Sequence, residues 1–267
     1  MKKYQKISIL LAVILSLIMS IVYAANENNN SLEKEAEEMT TAAITSTVKQ
    51  VLEPITTSKS IQKIEEFNDN LLGRKLSQAY TENYIVSIDS SSKQLVGIYE
   101  KEAKYNLITT DDKQTAENFI LSKYTEMNLP TEYKLVYLEK FDDYVWEADF
   151  QKEYDGVYNM YEAVKVFFNP ENSEIVALTK FDEKYTPTSS ETISSEEAKS
   201  IATTYLNKNS ESIKESELTL IKANNFYNKE SSDKTIHKAW IITTQENNKV
   251  FIDAASGEII GGDSFNE

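Results

Sequence analysis

Lys249-Val-Phe-Ile-Asp-Ala-Ala-Ser-Gly-Glu-Ile-Ile-Gly-Gly262 decides the fold. Val250 and Ile252 alternate with other side chains, Asp253 to Gly257 supply turn residues, and Ile259-Ile260 begin a return strand. That is the signature of a β-hairpin. Two further stretches carry the same pattern: Tyr84-Ile-Val-Ser-Ile-Asp-Ser-Ser-Ser-Lys-Gln-Leu-Val-Gly97 and Val164-Lys-Val-Phe-Phe-Asn-Pro-Glu-Asn-Ser-Glu-Ile-Val-Ala177. Their turns open on Asp89, Asn169 and Asp253, which are 80 and then 84 residues apart. A hairpin recurring at such a period marks an internal repeat.

Working outward, each hairpin is preceded by a helix signal and further strands. Before the last one, Ser194-Ser-Glu-Glu197 is a capping box, in which serine and glutamate satisfy backbone donors reciprocally. Ala198, Ile201, Ala202, Tyr205 and Leu206 follow at helical spacing, then short strands at Leu218–Lys222 and at Lys238–Thr243, the latter carrying Trp240. Before the middle hairpin, Asp111 or Asp112 caps a helix through Ala116, Phe119, Ile120 and Tyr124. Strands follow at Tyr133–Leu138 and Tyr144–Tyr154, and Asp155-Gly156 turns the chain into Val157–Phe168. Before the first hairpin, Ile61, Ile64, Phe67 and Leu71 fall on one helical face, with Gly73 as its C-terminal cap and Leu76–Tyr80 as a strand. Residues 31–53 read as a marginal, threonine-rich helix ended by Pro54. A sheet with one apolar face needs a helical cover, so the expected class is α+β, with tandem units of one helix packed on an antiparallel sheet.

The composition narrows the function. The chain has 267 residues, 40% of them hydrophobic and 27% charged, as in globular domains. Asp and Glu number 43 against 28 Lys plus Arg, for a net charge of -15, and Arg74 is the sole arginine. Nucleic-acid binding is not expected, since phosphate contacts need clustered basic side chains. There is no cysteine, so disulfides, thiolate nucleophiles and Cys-ligated zinc are excluded. Lys2, Lys3 and Lys6 precede a largely apolar run from Ile7 to Val22, and Val22-Tyr23-Ala24 offers a cleavage site. An export signal over residues 1–24 is expected, with a secreted or extracytoplasmic envelope location.

The expected divisions are the signal at 1–24, a polar spacer with the marginal helix at 25–58, a degenerate unit at 59–105, a unit at 106–186 and a last unit at 187–267. The helix from Ser194, Ala239-Trp240 and Val250-Phe-Ile-Asp-Ala-Ala-Ser-Gly-Glu-Ile-Ile resemble a PepSY domain. Trp146 to Leu178, with Tyr154-Asp-Gly-Val, is similar to repeats of YcdB/YcdC-type exported proteins and of thermolysin-type propeptides. The first unit lacks the Trp, and Asn169-Pro-Glu-Asn-Ser departs from the family turn. The resemblance implies an exported binding domain that regulates or inhibits a peptidase, with no catalytic residue to carry over.

The residues themselves agree in offering no catalytic motif. His237 is the sole histidine, no His-Glu-x-x-His is present, and there is neither a Gly-x-Ser-x-Gly elbow nor a phosphate loop at Gly261-Gly262. His237 reads as a surface or half-buried strand residue. Asp89 and Asp253 read as turn residues, since no Asp-x-Asp-x-Asp-Gly calcium loop occurs. Trp146 and Trp240 are placed in the core, and Tyr144, Tyr158 and Tyr161 are the candidates for a binding surface. No catalytic, cofactor or metal residue is assigned, and no cofactor is expected. The expected function is a non-enzymatic exported protein whose partner is an extracellular peptidase or envelope protein. The alternative is a structural or assembly protein of the envelope, and a hydrolase would need convergent carboxylates in a closed pocket. Mass spectrometry of the exported protein is expected to find a free N-terminus at Ala25; an intact Met1–Ala24 would point to an anchor.

Overall fold

A computed structural model describes residues 32–69, 73–101, 106–109, 112–172, 174–187, 192–207, 212–226 and 233–263, with side chains from residue 41 onward. The proposed signal and the spacer at 26–30 lie outside these residues. The fold is α+β, with helices and two antiparallel sheets. Helix α1 (Leu32–Leu52) precedes strands β1 (Lys63–Asp69), β2 (Arg74–Tyr80), β3 (Tyr84–Asp89) and β4 (Leu95–Glu100). Helix α2 (Lys113–Glu126) precedes β5 (Tyr133–Lys140), β6 (Trp146–Tyr154), β7 (Val157–Asn169) and β8 (Glu174–Asp182). Helix α3 (Ser195–Leu206) precedes β9 (Ile213–Lys222), β10 (Ile236–Thr244), β11 (Lys249–Asp253) and β12 (Ile259–Asp263). The first eight strands form one sheet in the order β1-β2-β3-β4-β8-β7-β6-β5, and the last four form a second sheet in the order β12-β11-β10-β9.

The chain divides into two compact units, and the division falls inside strands β5 to β8. The first holds the described residues up to Thr131 with Tyr137–Asp149 and Val164–Lys180. The second holds Glu132–Val136, Phe150–Ala163 and the described residues from Phe181 on.

In the first unit the helices cover one face of the sheet. Register places the buried Ala79, Val86, Ile98 and Leu178 in a row across β2, β3, β4 and β8. Ile44, Val48, Val51 and Leu52 of α1 are buried, and α1 packs against β2. The helix expected to be marginal therefore supplies core. Its apolar positions at 44, 48, 51 and 52 keep helical spacing, and the threonines between them occupy the other faces. Ala116, Ile120 and Tyr124 of α2 are likewise buried, and Phe119 stacks on Phe168 with ring centroids 5.5 Å apart. Gly97 sits where β4 meets β8; a Cβ there would lie 3.0 Å from the Leu178 carbonyl oxygen.

One expected helix is a strand. Residues 63–69 pair with β2 through seven partners, from Lys63↔Tyr80 to Asp69↔Arg74. Gly73 does have positive φ (63°), but it turns a hairpin and caps no helix. The i, i+3 spacing of Ile64 and Phe67 imitates a helix face, while cross-strand pairs decide the outcome. Lys75 pairs with Glu66, and Lys63 lies 4.3 Å from the Tyr80 ring centroid.

In the second unit α3 lies across β9, β10 and β11. Ala198 and Ala202 meet Ile242, Val250, Ile252 and Phe226, with Ile201 and Trp240 packed alongside. The capping box forms as expected: Ser194 Oγ accepts from Glu197 N, and Glu197 Oε2 accepts from Ser194 N at 2.7 Å. Trp240 Nε1 donates to the Ile193 carbonyl at 3.0 Å, and Ile193 N donates to Ala254 O at 2.7 Å. The residue before the helix is thus tied to both the Trp strand and the closing turn. Trp146 is 3% exposed, and Trp240 is half-buried.

The second sheet closes its β12 edge with the chain's own backbone and one amide. Asn224 N donates to Ile260 O, Asn224 Nδ2 donates to Gly262 O, and Gly262 N donates to Asn224 Oδ1 at 2.8 Å. The glycine pair permits this approach. A Cβ on Gly261 would meet Asn224 Oδ1 at 2.1 Å, and one on Gly262 would meet Lys249 O at 2.5 Å and the Phe226 ring at 2.6 Å. Gly262→Ala is expected to destabilise the protein by about 1–3 kcal/mol, as overpacking does, read as a lowered urea midpoint with an unchanged slope.

Candidate functional site

The repeated turns are built alike. Asp253 Oδ1 accepts from Ala255 N (3.0 Å), Ser256 N (2.8 Å) and Ser256 Oγ (3.0 Å). Asp89 Oδ1 accepts from Ser91 N (2.9 Å), Ser92 N (2.7 Å) and Ser92 Oγ (3.0 Å). Asn169 Oδ1 accepts from Glu171 N (2.9 Å) and Asn172 N (3.3 Å). A short side-chain oxygen that reaches backbone donors two and three residues on is the reason Asp and Asn favour such turns. Gly257 supplies the left-handed residue of the last turn at φ 74°, and Lys93 takes the same position in the first at φ 59°. Among the described residues, no group of three or more His, Asp or Glu side chains is placed to hold a metal ion.

The second polar atom of each turn residue does different work. Asn169 Nδ2 donates to Asn106 O (2.8 Å) and Tyr144 O (2.7 Å). Asp89 loses charge stabilisation to burial, but the backbone and hydroxyl of Ser92, with Arg74 nearby, hold its carboxyl below the usual range. Asp253 Oδ2 meets His237 Nδ1 at 2.8 Å. His237 Nε2 in turn lies 2.8 Å from Asp233 Oδ2 and 3.0 Å from Thr235 Oγ1. The histidine is a half-buried strand residue, as its sequence context suggested, and both its nitrogens are engaged. Burial opposes its charge, yet its hydrogen bonds to the carboxylates of Asp253 and Asp233 carry its pKa above the ordinary value. Asp233 is held at about 2, first by the backbone and hydroxyl of Thr235 and then by His237. Burial likewise raises Asp253, but the Ser256 backbone and His237 outweigh it and leave the carboxyl low.

Three other clusters hold charge away from water. Glu162 of the second unit is 5% exposed; it accepts from the Tyr154 hydroxyl and, at 3.5 Å, from that of Tyr133. Burial, then Glu162, pushes the Tyr154 hydroxyl up to about 12. In the first unit Lys165 Nζ sits 2.5 Å from Glu147 and 3.5 Å from Asp149, so the two carboxylates of β6 share one cation. Glu100 lies opposite Tyr84 in the β3–β4 ladder, and its Oε2 is buried without a hydrogen-bond partner. Burial first, and the Glu174 carboxylate second, push Glu100 up to about 7.

Of the tyrosines expected at a binding surface, Tyr144 of the first unit is 41% exposed and Tyr158 of the second 40%. Tyr161 is half-buried instead. Its hydroxyl accepts from Lys222 N at 3.2 Å, and its ring lies 5.0 Å from Lys222 Nζ. Glu100, Glu162, Lys165 and Asp233 received no role from sequence alone. Glu100 was within reach, because strand alternation puts it on the same face as Ile98. Asp233 precedes a strand and has no periodicity to reveal it.

No protein-family model matches the chain, and no curated protein does. Among solved structures, it is similar to the Bacillus megaterium YpeB C-terminal domain, with a TM-score of 0.51 and 14% identity over 86% of this chain and 98% of that one. An uncharacterized protein from Eubacterium rectale matches with a TM-score of 0.35 and 12% identity over 85% of this chain and 81% of that one. The first likeness bears on the fold alone.

Glu100 makes a pH-dependent prediction. Its folded value of about 7 lies above the ordinary 4.5, so between these pH values the folded state holds a proton that the unfolded chain has released. Stability contributed at low pH is lost as pH rises through that window. Glu100→Gln is expected to stabilise the protein at pH 8 by on the order of 1–2 kcal/mol and to bring no gain at pH 4, measured by urea unfolding. An equal effect at both pH values would contradict the assignment.

Proposed function

We propose that the chain is an exported, non-enzymatic PepSY-type protein that binds an extracellular peptidase and regulates or inhibits it. The observation that carries this reading is the fold likeness to the YpeB C-terminal domain, which spans 98% of that domain. It is supported by the Ser194 capping box, Trp240 and the Val250–Ile260 hairpin, whose sequence resembles a PepSY domain. The closing Asp253 is consumed by its turn and by His237, Glu147 and Asp149 share the single cation of Lys165, and none of these groups is poised as a nucleophile with a base. Binding by strand addition suits such a protein, because β1, β5 and β9 are terminal strands of their sheets. Export rests on the basic and apolar pattern of the first 24 residues.

An envelope-assembly protein would use the helix at residues 31–53 as a spacer. Ile44, Val48, Val51 and Leu52 tie the second half of α1 into the first unit, and no observation favours that reading. The fragment 25–267, incubated with a representative panel of secreted metallopeptidases, is expected to bind at least one and to lower or otherwise change its activity. Absence of both binding and any activity change across the panel would sink the proposal.

A further inference from the structure

Strand β9 ends the second sheet, and one side of its backbone is open. Lys238 O accepts from Ala254 N, and Thr244 N donates to Asn248 O, so the even-numbered residues of β10 spend their backbone groups on the β11 side. Register sets Lys238, Trp240 and Ile242 opposite Leu220, Leu218 and Ser216. In an antiparallel ladder, residues that stand opposite without exchanging hydrogen bonds point their N–H and C=O away from each other. Ser216, Leu218 and Leu220 therefore present theirs to the open edge. Lys222 N, next in the series, shows the direction: it donates outward, to the Tyr161 hydroxyl, at 3.2 Å. Among the described residues, the backbone groups of Ser216, Leu218 and Leu220 meet no partner on that side. Ser216 and Leu218 are half-buried and Glu217 between them is exposed, which leaves room for a chain to approach.

The side chains select what can pair there. Glu215 and Glu217 are exposed and lie two residues apart, on one face of β9. Among the described residues, neither makes a hydrogen bond or an ion pair. The other terminal strands differ. The acids of β1 are matched within its own hairpin: Glu65 by Lys63, Glu66 by Lys75 and Asp69 by Arg74. Strand β5 carries Lys134 and Lys140, and its Glu139 accepts from the Tyr137 hydroxyl. The β12 edge is occupied by Asn224. We propose that β9 is the docking edge: it takes an extended segment of a partner protein as a fifth strand, one with Lys or Arg at two alternating positions, set beside Glu215 and Glu217. Opposite charges on neighbouring strands attract across the ladder. On the other face the segment runs beside Ser216 and Leu218, where small and apolar side chains fit. A second copy of this chain is a poor occupant, because two β9 edges would gather both pairs of carboxylates along one seam. The inference rests on the strand-addition mode proposed above and is independent of the partner's being a peptidase.

The probe is a blocked synthetic peptide of alternating lysine and valine, added to the full-length protein, with an alternating glutamate and valine peptide as control. The lysine peptide is expected to bind, more weakly as salt is raised, and to slow hydrogen exchange of the Ser216, Leu218 and Leu220 amides several-fold. The glutamate peptide is expected to leave these amides unchanged. Glu215→Gln with Glu217→Gln is expected to weaken binding several-fold with the fold intact, since both side chains are exposed. N-methylating either all the valines or all the lysines of the peptide is expected to abolish binding in one of the two cases, because only one set of N–H groups faces β9. Lack of protection at the three amides, protection on β1 or β5 instead, indifference to the double substitution, or binding that survives both methylations would each overturn the assignment. So would a dimer of the protein that protects these amides without peptide. A peptidase caught by the panel above whose affinity ignores the double substitution would keep the proposed function and remove β9 from it.

Discussion

One side-chain oxygen per turn sets the register of each closing hairpin. Oδ1 of Asp89, Asn169 and Asp253 takes the amides two and three residues ahead, and so fixes where the chain reverses. A slip of one residue would send every side chain of the return strand to the opposite face. In the last hairpin that would take Ile259 away from the core that Ala198 and Ala202 of α3 share with Val250 and Ile252. With no cysteine to hold the layers, this alignment and the burial it permits are what keep helix and sheet together.

The same residue has a second polar atom, and there the hairpins diverge. The amide of Asn169 binds two carbonyls, which a carboxylate could not do. The carboxylate of Asp253 meets an imidazole, which an amide would serve less well. The substitution of Asn for Asp in the middle hairpin is therefore a change of partner, with the turn itself retained.

Much of the fold was legible because it rests on local chemistry. The Ser194–Glu197 box, the Asp112 cap, the Asp155-Gly156 turn and the alternation around Trp146 each report a nearby hydrogen bond or face. What was misread depended on partners distant in sequence. Residues 63–69 look helical alone and become a strand because β2 is there to pair with. The sparse stripe of α1 becomes core because a sheet lies beneath it. The clusters at Glu162 and Lys165 were invisible for the same reason: Tyr154, Tyr133, Glu147 and Asp149 reach them across strands, at separations that no motif encodes. His237 was placed correctly as a strand residue, but its two carboxylates come from either side in sequence, and only the fold brings them to one ring.

The contact between β4 and β8 has a consequence for how such a chain can grow. Counted from each helix, the strands of the larger sheet run first, second, third, fourth, fourth, third, second, first, and the two fourth strands meet antiparallel. Two copies of a subunit related by a dyad would join in that way, each offering the other the same surface. Such self-complementary pairing saturates at two members. The fourth strand that follows α3 instead has Ile260 O and both backbone groups of Gly262, on its corresponding edge, taken by Asn224.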